Sequence, residues 1–309
     1  MYPPTSRPIA RGDRSLVDFD ARHERPQRVP GLGEREVLFT ADRAWLVDEE
    51  ARLVVVVASF IDGGSEAPRH ATVSLSAGGT SEIVLTRLSS MDAASAARAT
   101  RLIHRGGREV GDLLVAVLEP AKLGLVEPTT LRLDAEILVG DTTVKRHLLV
   151  PYTPATAVPA RFVGATTDSL VDGAVVLEVG VDVREPGRYL IDANLHAADG
   201  EPLAWTRFKG DLARGTTRVA LRFFGKALRD RGVAGPYFLG ELRGALYREG
   251  VEPNLASMPP SLEPYRTREY ALDELSDAPW DSAKKQATIA KLTALEAMPG
   301  APFVEAASP

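Results

Sequence analysis

The sequence predicts a mainly β protein with two tandem β-sandwich domains of the immunoglobulin-like kind, an N-terminal extended arm and a short C-terminal helix. Three observations indicate this fold class. Apolar residues come in short runs, and several runs alternate with polar residues as in strands with one solvent-facing side. Glycine-containing turns separate the runs at the spacing typical of sandwiches. The chain has 309 residues, which is enough for two domains.

The N-terminal half starts with residues 1–34, which are rich in Pro, Arg, Gly and Asp and show no periodicity. We interpret them as an extended arm that lies on the first domain or is partly disordered. Residues 35–150 are expected to form the first sandwich. Within it, the apolar run at residues 53–58 predicts a strand buried on both faces, and the Ala-rich stretch at residues 92–104 predicts a short helix.

The C-terminal half follows a Pro-rich linker at residues 151–161, which we interpret as a stiff spacer. Residues 162–250 show the clearest alternation and predict the second immunoglobulin-like sandwich, which contains a hairpin turn at Asp199-Gly200. Residues 251–309 are expected to form a surface loop that ends in a helix over residues 283–296.

The tripeptide Gly235-Pro236-Tyr237 is a candidate structural turn before the last strand of the second sandwich. We expect Gly235 to adopt a backbone conformation closed to other residues and Pro236 to fix φ. The ring of Tyr237 should pack while its hydroxyl reaches a loop carbonyl, as the corner tyrosines of sandwiches do.

The C-terminal helix supplies the candidate contacts with a protein partner. Trp280 precedes Asp281, a residue type that caps helix N-termini, and we expect Trp280 to act as a hydrophobic staple. Ile289, Leu292 and Leu295 recur at intervals of three and form a modest apolar stripe.

Three segments of the second half resemble a known family. They are Gly-Arg-Tyr-Leu-Ile-Asp-Ala-Asn-Leu-His-Ala-Ala-Asp-Gly-Glu-Pro-Leu-Ala-Trp at 187–205, Val-Ala-Leu-Arg-Phe-Phe-Gly-Lys-Ala-Leu at 219–228 and Gly-Val-Ala-Gly-Pro-Tyr at 232–237. Together they are similar to the immunoglobulin-like modules of bacterial envelope proteins, the "choice-of-anchor" type and related secreted sandwiches, over about residues 165–250. The resemblance implies a non-enzymatic module at or near the cell envelope, and it carries over no catalytic residue.

A search for catalytic chemistry favours a protein that is not an enzyme and has no cofactor. The five histidines are His23, His70, His104, His147 and His196, and none lies three or four residues from another. The nucleophile-elbow, zinc-protease and phosphate-loop motifs do not occur, and the chain has no cysteine.

Calcium stays open as a weak alternative, because sandwich loops often bind it through clustered oxygen atoms. Neither candidate donor group has the spacing of an EF-hand loop. The two groups are Asp18, Asp20 and Glu24 in the arm, and Asp48, Glu49 and Glu50 in the first sandwich.

The charge and hydropathy patterns bear on partners and location. The formal net charge is −5 and no basic block is present, so we expect no nucleic-acid partner. The longest apolar run is far shorter than the roughly 20 residues that span a bilayer, so we expect no membrane span. We predict the periplasm or cell surface if a signal peptide was removed, and otherwise the cytoplasm.

These observations leave three functional hypotheses. The first is a non-enzymatic binding or scaffold protein that presents loops and the C-terminal helix to a protein partner. The alternative is a carbohydrate-binding envelope protein, which needs Trp45 and Trp280 together on the surface; Trp205, in phase with Leu203, is expected in the core. The third is a hydrolase whose site is assembled from distant carboxylates.

Overall fold

The structure is a computed structural model that describes residues 2–10, 26–31, 33–48, 52–61, 64–77, 79–104, 113–261 and 263–296. The strands of the N-terminal half are β1 (Ser6–Pro8), β2 (Gln27–Arg28), β3 (Glu36–Ala41), β4 (Leu46–Val47), β5 (Leu53–Ile61), β6 (Gly64–Glu66), β7 (His70–Ser76), β8 (Thr80–Ile83), β9 (Thr86–Arg87), β10 (Leu114–Leu118), β11 (Thr129–Val139) and β12 (Thr142–Thr153). Those of the C-terminal half are β13 (Ala160–Val171), β14 (Ala174–Val183), β15 (Gly187–His196), β16 (Pro202–Leu212), β17 (Gly215–Phe223), β18 (Phe238–Tyr247), β19 (Leu255–Ser257) and β20 (Tyr265–Arg266). The helices are α1 (Ala93–His104), α2 (Gly225–Arg229) and α3 (Ala283–Glu296).

The strands form four sheets, which pack in two pairs. Sheet I has the order β2-β3-β5-β10-β9 with β6 beside β5, and sheet II has the order β4-β12-β11-β7-β8. Sheet III has the order β1-β16-β15-β18-β19 with β20 beside β18, and sheet IV has the order β13-β14-β17. Sheets I and II enclose one apolar core, and sheets III and IV enclose a second.

Strand β5 is the central element of the first pair. Val55 and Val57 pack into the core that sheet I shares with sheet II. Val54 and Val56 point to the opposite face, where α1 covers them. All four valines are fully buried, which confirms the predicted two-sided strand and the predicted helix.

Helix α1 is capped at its start and is held to sheet I at its middle. The carboxylate of Asp92 accepts the backbone N–H of Ser95 at 2.9 Å and so caps the first turn. Asp42, at the end of β3, accepts the backbone N–H of Val54 at 2.8 Å and also binds the guanidinium of Arg98 on α1. Burial raises the pKa of Asp42, while the nearby Arg98 charge opposes that rise.

The second pair confirms the alternating pattern of β14 to β18. Tyr189, Ile191 and Leu195 on β15 face Val179 and Leu221 of sheet IV across the core. The long strand β13 was not among the strands that we predicted. It is the edge strand of sheet IV, and a bulge between Val163 and Thr167 interrupts its pairing, so its exposed and buried residues do not alternate cleanly.

The predicted surface loop after residue 250 proves to be part of the second core. Strands β19 and β20 and the single bridge of Ser261 to Leu242 lie in sequence along β18. Met258, Tyr270 and Leu275 are each 1% exposed. The prolines of this segment interrupt the strand without expelling it, because an edge strand needs few ladder hydrogen bonds.

The N-terminal arm also differs from the prediction. We expected it on the first domain, but β1 pairs with β16 of the second pair, while β2 pairs with β3 of the first. Ile9 then packs in a small cluster at the junction of the two pairs, together with Trp45, Val158 and Trp205. The arm therefore connects both halves of the molecule.

The predicted fold class, mainly β with a short C-terminal helix, is confirmed. The linker is shorter than residues 151–161, because β12 extends to Thr153 and β13 begins at Ala160. The division into independently folding domains stays a prediction. Among the described residues, no helix is both long and apolar enough to cross a membrane.

Candidate functional site

The Gly235-Pro236-Tyr237 turn is a buried structural corner in this structure. The Gly235-Pro236 peptide bond is cis. The Tyr237 hydroxyl donates to the carbonyl of Val233 at 2.9 Å, and the ring stacks on that of Tyr270 with centroids 6.2 Å apart. Burial raises the pKa of Tyr237 to about 12. The hydroxyl and the ring of Tyr237 thus have their partners inside the protein, and the residue is fully buried.

The role of Gly235 differs from the expected one. Its φ lies outside the left-handed region, so conformation does not require glycine here. A Cβ atom at this position would instead lie 2.8 Å from the backbone nitrogen of Tyr270, too close for any side chain. Glycine is therefore needed for space.

A second corner tyrosine was missed in the sequence. The hydroxyl of Tyr189 donates to the carbonyl of Glu185 at 2.6 Å, the same four-residue return that Tyr237 makes. Both returns contain a Gly and a Pro, as in Glu185-Pro-Gly-Arg-Tyr189. The Gly and Pro within the four residues before each tyrosine are the sequence feature from which the second corner could have been predicted.

The C-terminal helix stands on the surface with its apolar residues uncovered. Ile289 is 46% and Leu292 is 54% exposed, and the side chain of Leu295 lies outside the described residues. Trp280 is partly buried, and its carbonyl accepts a hydrogen bond from Lys285 Nζ at 2.8 Å. The N-cap is Ser282 rather than the expected Asp281, because Ser282 Oγ accepts the backbone N–H of Lys285 at 3.1 Å.

The tryptophans do not form an exposed platform. Trp45 is 7% and Trp205 is 8% exposed. Trp205 is buried, but outside the main core, which corrects the expected position. A bulge opposite His196 shifts the register of β16, so Leu203 faces the core while Trp205 pairs with Asn194 on the outer face of sheet III.

The outer face of sheet III carries a cluster of charged and aromatic side chains at the junction. The carboxylate of Asp192 accepts hydrogen bonds from Trp205 Nε1 at 3.1 Å and from Arg207 Nε at 2.7 Å. The Arg207 guanidinium carbon lies 5.2 Å from the Trp205 ring centroid, and that of Arg243 lies 3.8 Å from the Trp45 ring centroid. Burial lowers the pKa of Arg243, while the negative charge of Asp192 opposes that fall.

Two of the cavities in the described part of the chain open on the second pair of sheets. One, of about 550 Å³, lies between the bulged part of β13 and the segment 259–265, and Phe162, Tyr265 and three prolines line it with Arg161 and Glu263. Tyr265 and Tyr270 donate their hydroxyls to Asp168 and hold that segment against β13. The opening therefore belongs to a fixed edge of the sandwich.

The other cavity, of about 580 Å³, has two carboxylates in its wall, Asp182 and Glu185, and so bears on the hydrolase hypothesis. Both are exposed, and Arg184 and Arg214 line the same wall. Two solvent-facing carboxylates beside two arginines do not form the enclosed acid–base pair that a hydrolytic site needs. The arrangement gives the hydrolase hypothesis no support.

The sequence offers only weak support for a calcium site. Within the part of the chain that the structure describes, no three His, Asp or Glu side chains group to hold a metal ion. Of the calcium candidates only Asp48 is described; Asp18, Asp20, Glu24, Glu49 and Glu50 lie outside the described residues. The calcium hypothesis stays a prediction.

Comparisons with known proteins add no function. No protein-family model matches the sequence, and no curated protein is significantly similar. Among solved structures, the chain is similar to a DUF4785 family protein from Legionella pneumophila subsp. pneumophila strain Philadelphia 1, with 14% identity and a TM-score of 0.44 over 76% of this chain and 58% of that one. It is also similar to a protein of unknown function from Porphyromonas gingivalis W83, with 12% identity and a TM-score of 0.22 over 74% of this chain and 97% of that one. The chain thus spans 58% of the length of the Legionella protein.

Proposed function

We propose that this protein is a non-enzymatic binding or scaffold protein that presents α3 and its neighbouring loops to a protein partner in the bacterial cell envelope. The observation that carries the proposal is the exposure of Ile289 and Leu292, 46% and 54%, on one side of α3. A 14-residue helix is marginally stable alone in water, and packing of its apolar stripe against a partner would stabilise it.

The rest of the molecule is suited to hold that helix in place. The segment before α3 is anchored in the second core by Leu275, whose carbonyl accepts a hydrogen bond from Arg229 at 2.8 Å. The backbone N–H of Ser276 donates to Gly173 at 3.0 Å. These two bonds attach the segment that leads into α3 to a fixed point on the second pair of sheets.

The envelope location rests on the resemblance of residues 165–250 to "choice-of-anchor" and related secreted modules. Modules of that kind are non-enzymatic, which agrees with a binding role. Cell fractionation of the source organism tests the location, and recovery of the protein in the cytosol alone would contradict it.

The partner proposal is tested by crosslinked pull-down from the source cell with three chains. They are the intact protein, the double variant Ile289→Ser/Leu292→Ser, and a chain that ends after Asp277, which keeps Leu275 and the core intact. We expect one protein to be enriched by the intact chain and lost with both altered chains. The purified partner should then bind the intact chain at least about tenfold more tightly than the double variant.

A matched control removes two exposed apolar side chains elsewhere, in the double variant Val84→Ser/Val126→Ser, whose sites are 82% and 68% exposed. It should retain the partner. Equal capture by all chains would place the contact away from α3. Capture of polysaccharide and of no protein would replace the proposal with the carbohydrate-binding alternative.

A further inference from the structure

The N-terminal arm occupies a groove at the edge of β16, about two hundred residues away in the chain. Ser6, Arg7 and Pro8 pair with Thr206, Trp205 and Ala204 in antiparallel register. The backbone N–H of Ile9 donates to Leu203 at 2.9 Å, and that of Arg207 donates to Thr5 at 2.8 Å. The arm is therefore bound as an added strand.

Side chains of the arm fit three further positions in this groove. The hydroxyl of Ser6 accepts the backbone N–H of Phe224 at 3.0 Å, which ties the arm to sheet IV as well as to sheet III. The guanidinium carbon of Arg7 lies 5.4 Å from the centroid of the Trp205 ring. Ile9 is 3% exposed and fills the junction cluster. The groove thus contacts a small hydroxyl residue, a basic residue and an aliphatic residue of the arm, at positions 6, 7 and 9.

The arm fills only part of the edge. Strand β16 has 11 residues, and β1 has three. Among the described residues, β1 is the only strand paired to this edge of β16. Along β16, the backbone N–H and C=O groups of every second residue point to the edge that the arm occupies. Beyond the arm, the next residues in this series are Lys209 and Asp211, whose backbone groups therefore point outward.

Prolines keep the arm from extending further. In antiparallel register, residues before Ser6 would continue along Lys209 and Asp211. Instead Pro3 and Pro4 enter a turn in which the Ser6 N–H donates to Pro3 at 3.2 Å. Proline cannot donate to a ladder, so the arm leaves this stretch unfilled.

We propose that the β16 edge is a peptide-binding groove for an extended segment of another protein, and that the arm is its intramolecular occupant. The segment carries a small hydroxyl residue, then a basic residue and, two residues further on, an aliphatic residue, and it is preceded by strand-forming residues without proline. It displaces the arm because it repeats the arm's contacts and adds backbone hydrogen bonds at Lys209 and Asp211. The groove is separate from α3, so its test does not depend on the helix.

Two synthetic peptides test the groove. The first is residues 2–10 of this chain, and the second has Val and Thr in place of Pro3 and Pro4 so that it extends along the edge. The chain contains no cysteine, so a fluorophore at the exposed site Ala10→Cys labels the arm alone, keeps both prolines and reports the release of the arm. On the full-length chain we expect the extended peptide to release the arm and to bind at least about tenfold more tightly than the first peptide.

Variants of the peptide and the chain control the result. An extended peptide with Ile9→Asp should bind about a hundredfold more weakly, since it places a carboxylate in an apolar cluster. One with Thr5→Ala should bind unchanged, because Thr5 contributes its backbone carbonyl. Full-length chain with Ile9→Asp keeps a weakened arm in place, and it should bind both peptides more tightly than the unaltered chain does.

Failure of both peptides to bind the Ile9→Asp chain, with its fold retained by circular dichroism, would show that β1 is a permanent structural strand. Equal binding of the two peptides would show that the edge at Lys209 and Asp211 adds nothing to the binding. A dimer that forms at high protein concentration and disappears with the Ile9→Asp change would reassign the groove to a second copy of this chain.

Discussion

At the residue scale, two tyrosines close loops of the second sandwich by the same device. Each hydroxyl returns to the carbonyl four residues upstream, Tyr189 to Glu185 and Tyr237 to Val233. Such a bond fixes the corner where a loop enters a strand. Each of the short Gly- and Pro-containing loops at the starts of β15 and β18 is therefore closed by a tyrosine that lies at its own end.

The Tyr237→Phe variant tests that account. It removes the donor to Val233 and leaves the ring and its stacking on Tyr270 in place. We expect the free energy of unfolding to fall by about 1 kcal/mol, as for a typical buried hydrogen bond. Urea denaturation measures the loss. The matched change Tyr247→Phe, at a site 38% exposed, should leave the midpoint unchanged.

His196 should make stability depend on pH. Burial lowers its pKa below the ordinary value of 6.5, so the unfolded chain binds the proton more readily. The stabilisation is complete above pH 6.5 and is lost as the pH falls through the lowered folded pKa. The denaturation midpoint should therefore drop between about pH 7.5 and about pH 5.5, and less so in His196→Gln. If exposed His147→Gln flattened the profile equally, the assignment to His196 would be wrong.

At the element scale, the sequence predicts elements whose pattern is local and misses those set by distant contacts. The run at 53–58 and the alternation of β14 to β18 are visible in the chain itself. Strand β13 is not, because its bulge and open edge leave it half exposed. The face of the sheet on which Trp205 lies is not visible in the chain either, because the bulge between β15 and β16 moves Trp205 to the face opposite to the expected one.

The same division applies to the candidate sites. The stripe of α3 follows from residue spacing, so Ile289 and Leu292 could be named in advance. The groove at β16 could not, because its floor and its occupant lie at opposite ends of the chain. Only the polar, aperiodic composition of the arm is local, and that composition is typical of many unpaired segments.

The Asp42–Arg98 contact is an element-scale clamp between sheet I and α1. In Asp42→Ala the backbone N–H of Val54 loses its acceptor and Arg98 loses its partner in a mostly buried site. We expect the free energy of unfolding to fall by about 3 kcal/mol, together with faster amide exchange in α1. Asp134→Ala, whose partner Arg132 is largely exposed, should cost less than about 1 kcal/mol. Equal losses in the two variants would argue against the clamp.

At the scale of the whole molecule, three contacts among the described residues join the two pairs of sheets, and Trp45 takes part in two of them. The Thr153 hydroxyl accepts the backbone N–H of Ser257 at 3.0 Å. Ile9 of the arm packs beside Trp45 and Val158. The guanidinium of Arg243 stacks on Trp45. Because these contacts come from three separate stretches of chain, the junction should hold the two cores in one orientation and couple their unfolding.

Trp45→Ala tests this coupling. Trp45 lies on the first half of the chain, yet it packs on Ile9, Val158, Trp205 and Arg243. Its loss should cost about 4 kcal/mol, as for other buried aromatic truncations, and most of that loss falls on the junction. We therefore expect calorimetry to show one unfolding transition for the unaltered chain and two for the variant, since each core then melts alone. Trp280→Ala removes a tryptophan that lies outside the junction and should keep the single transition. A single transition in Trp45→Ala, shifted as a whole to lower temperature, would mean that the two cores are coupled by the backbone linker and the Thr153–Ser257 bond instead.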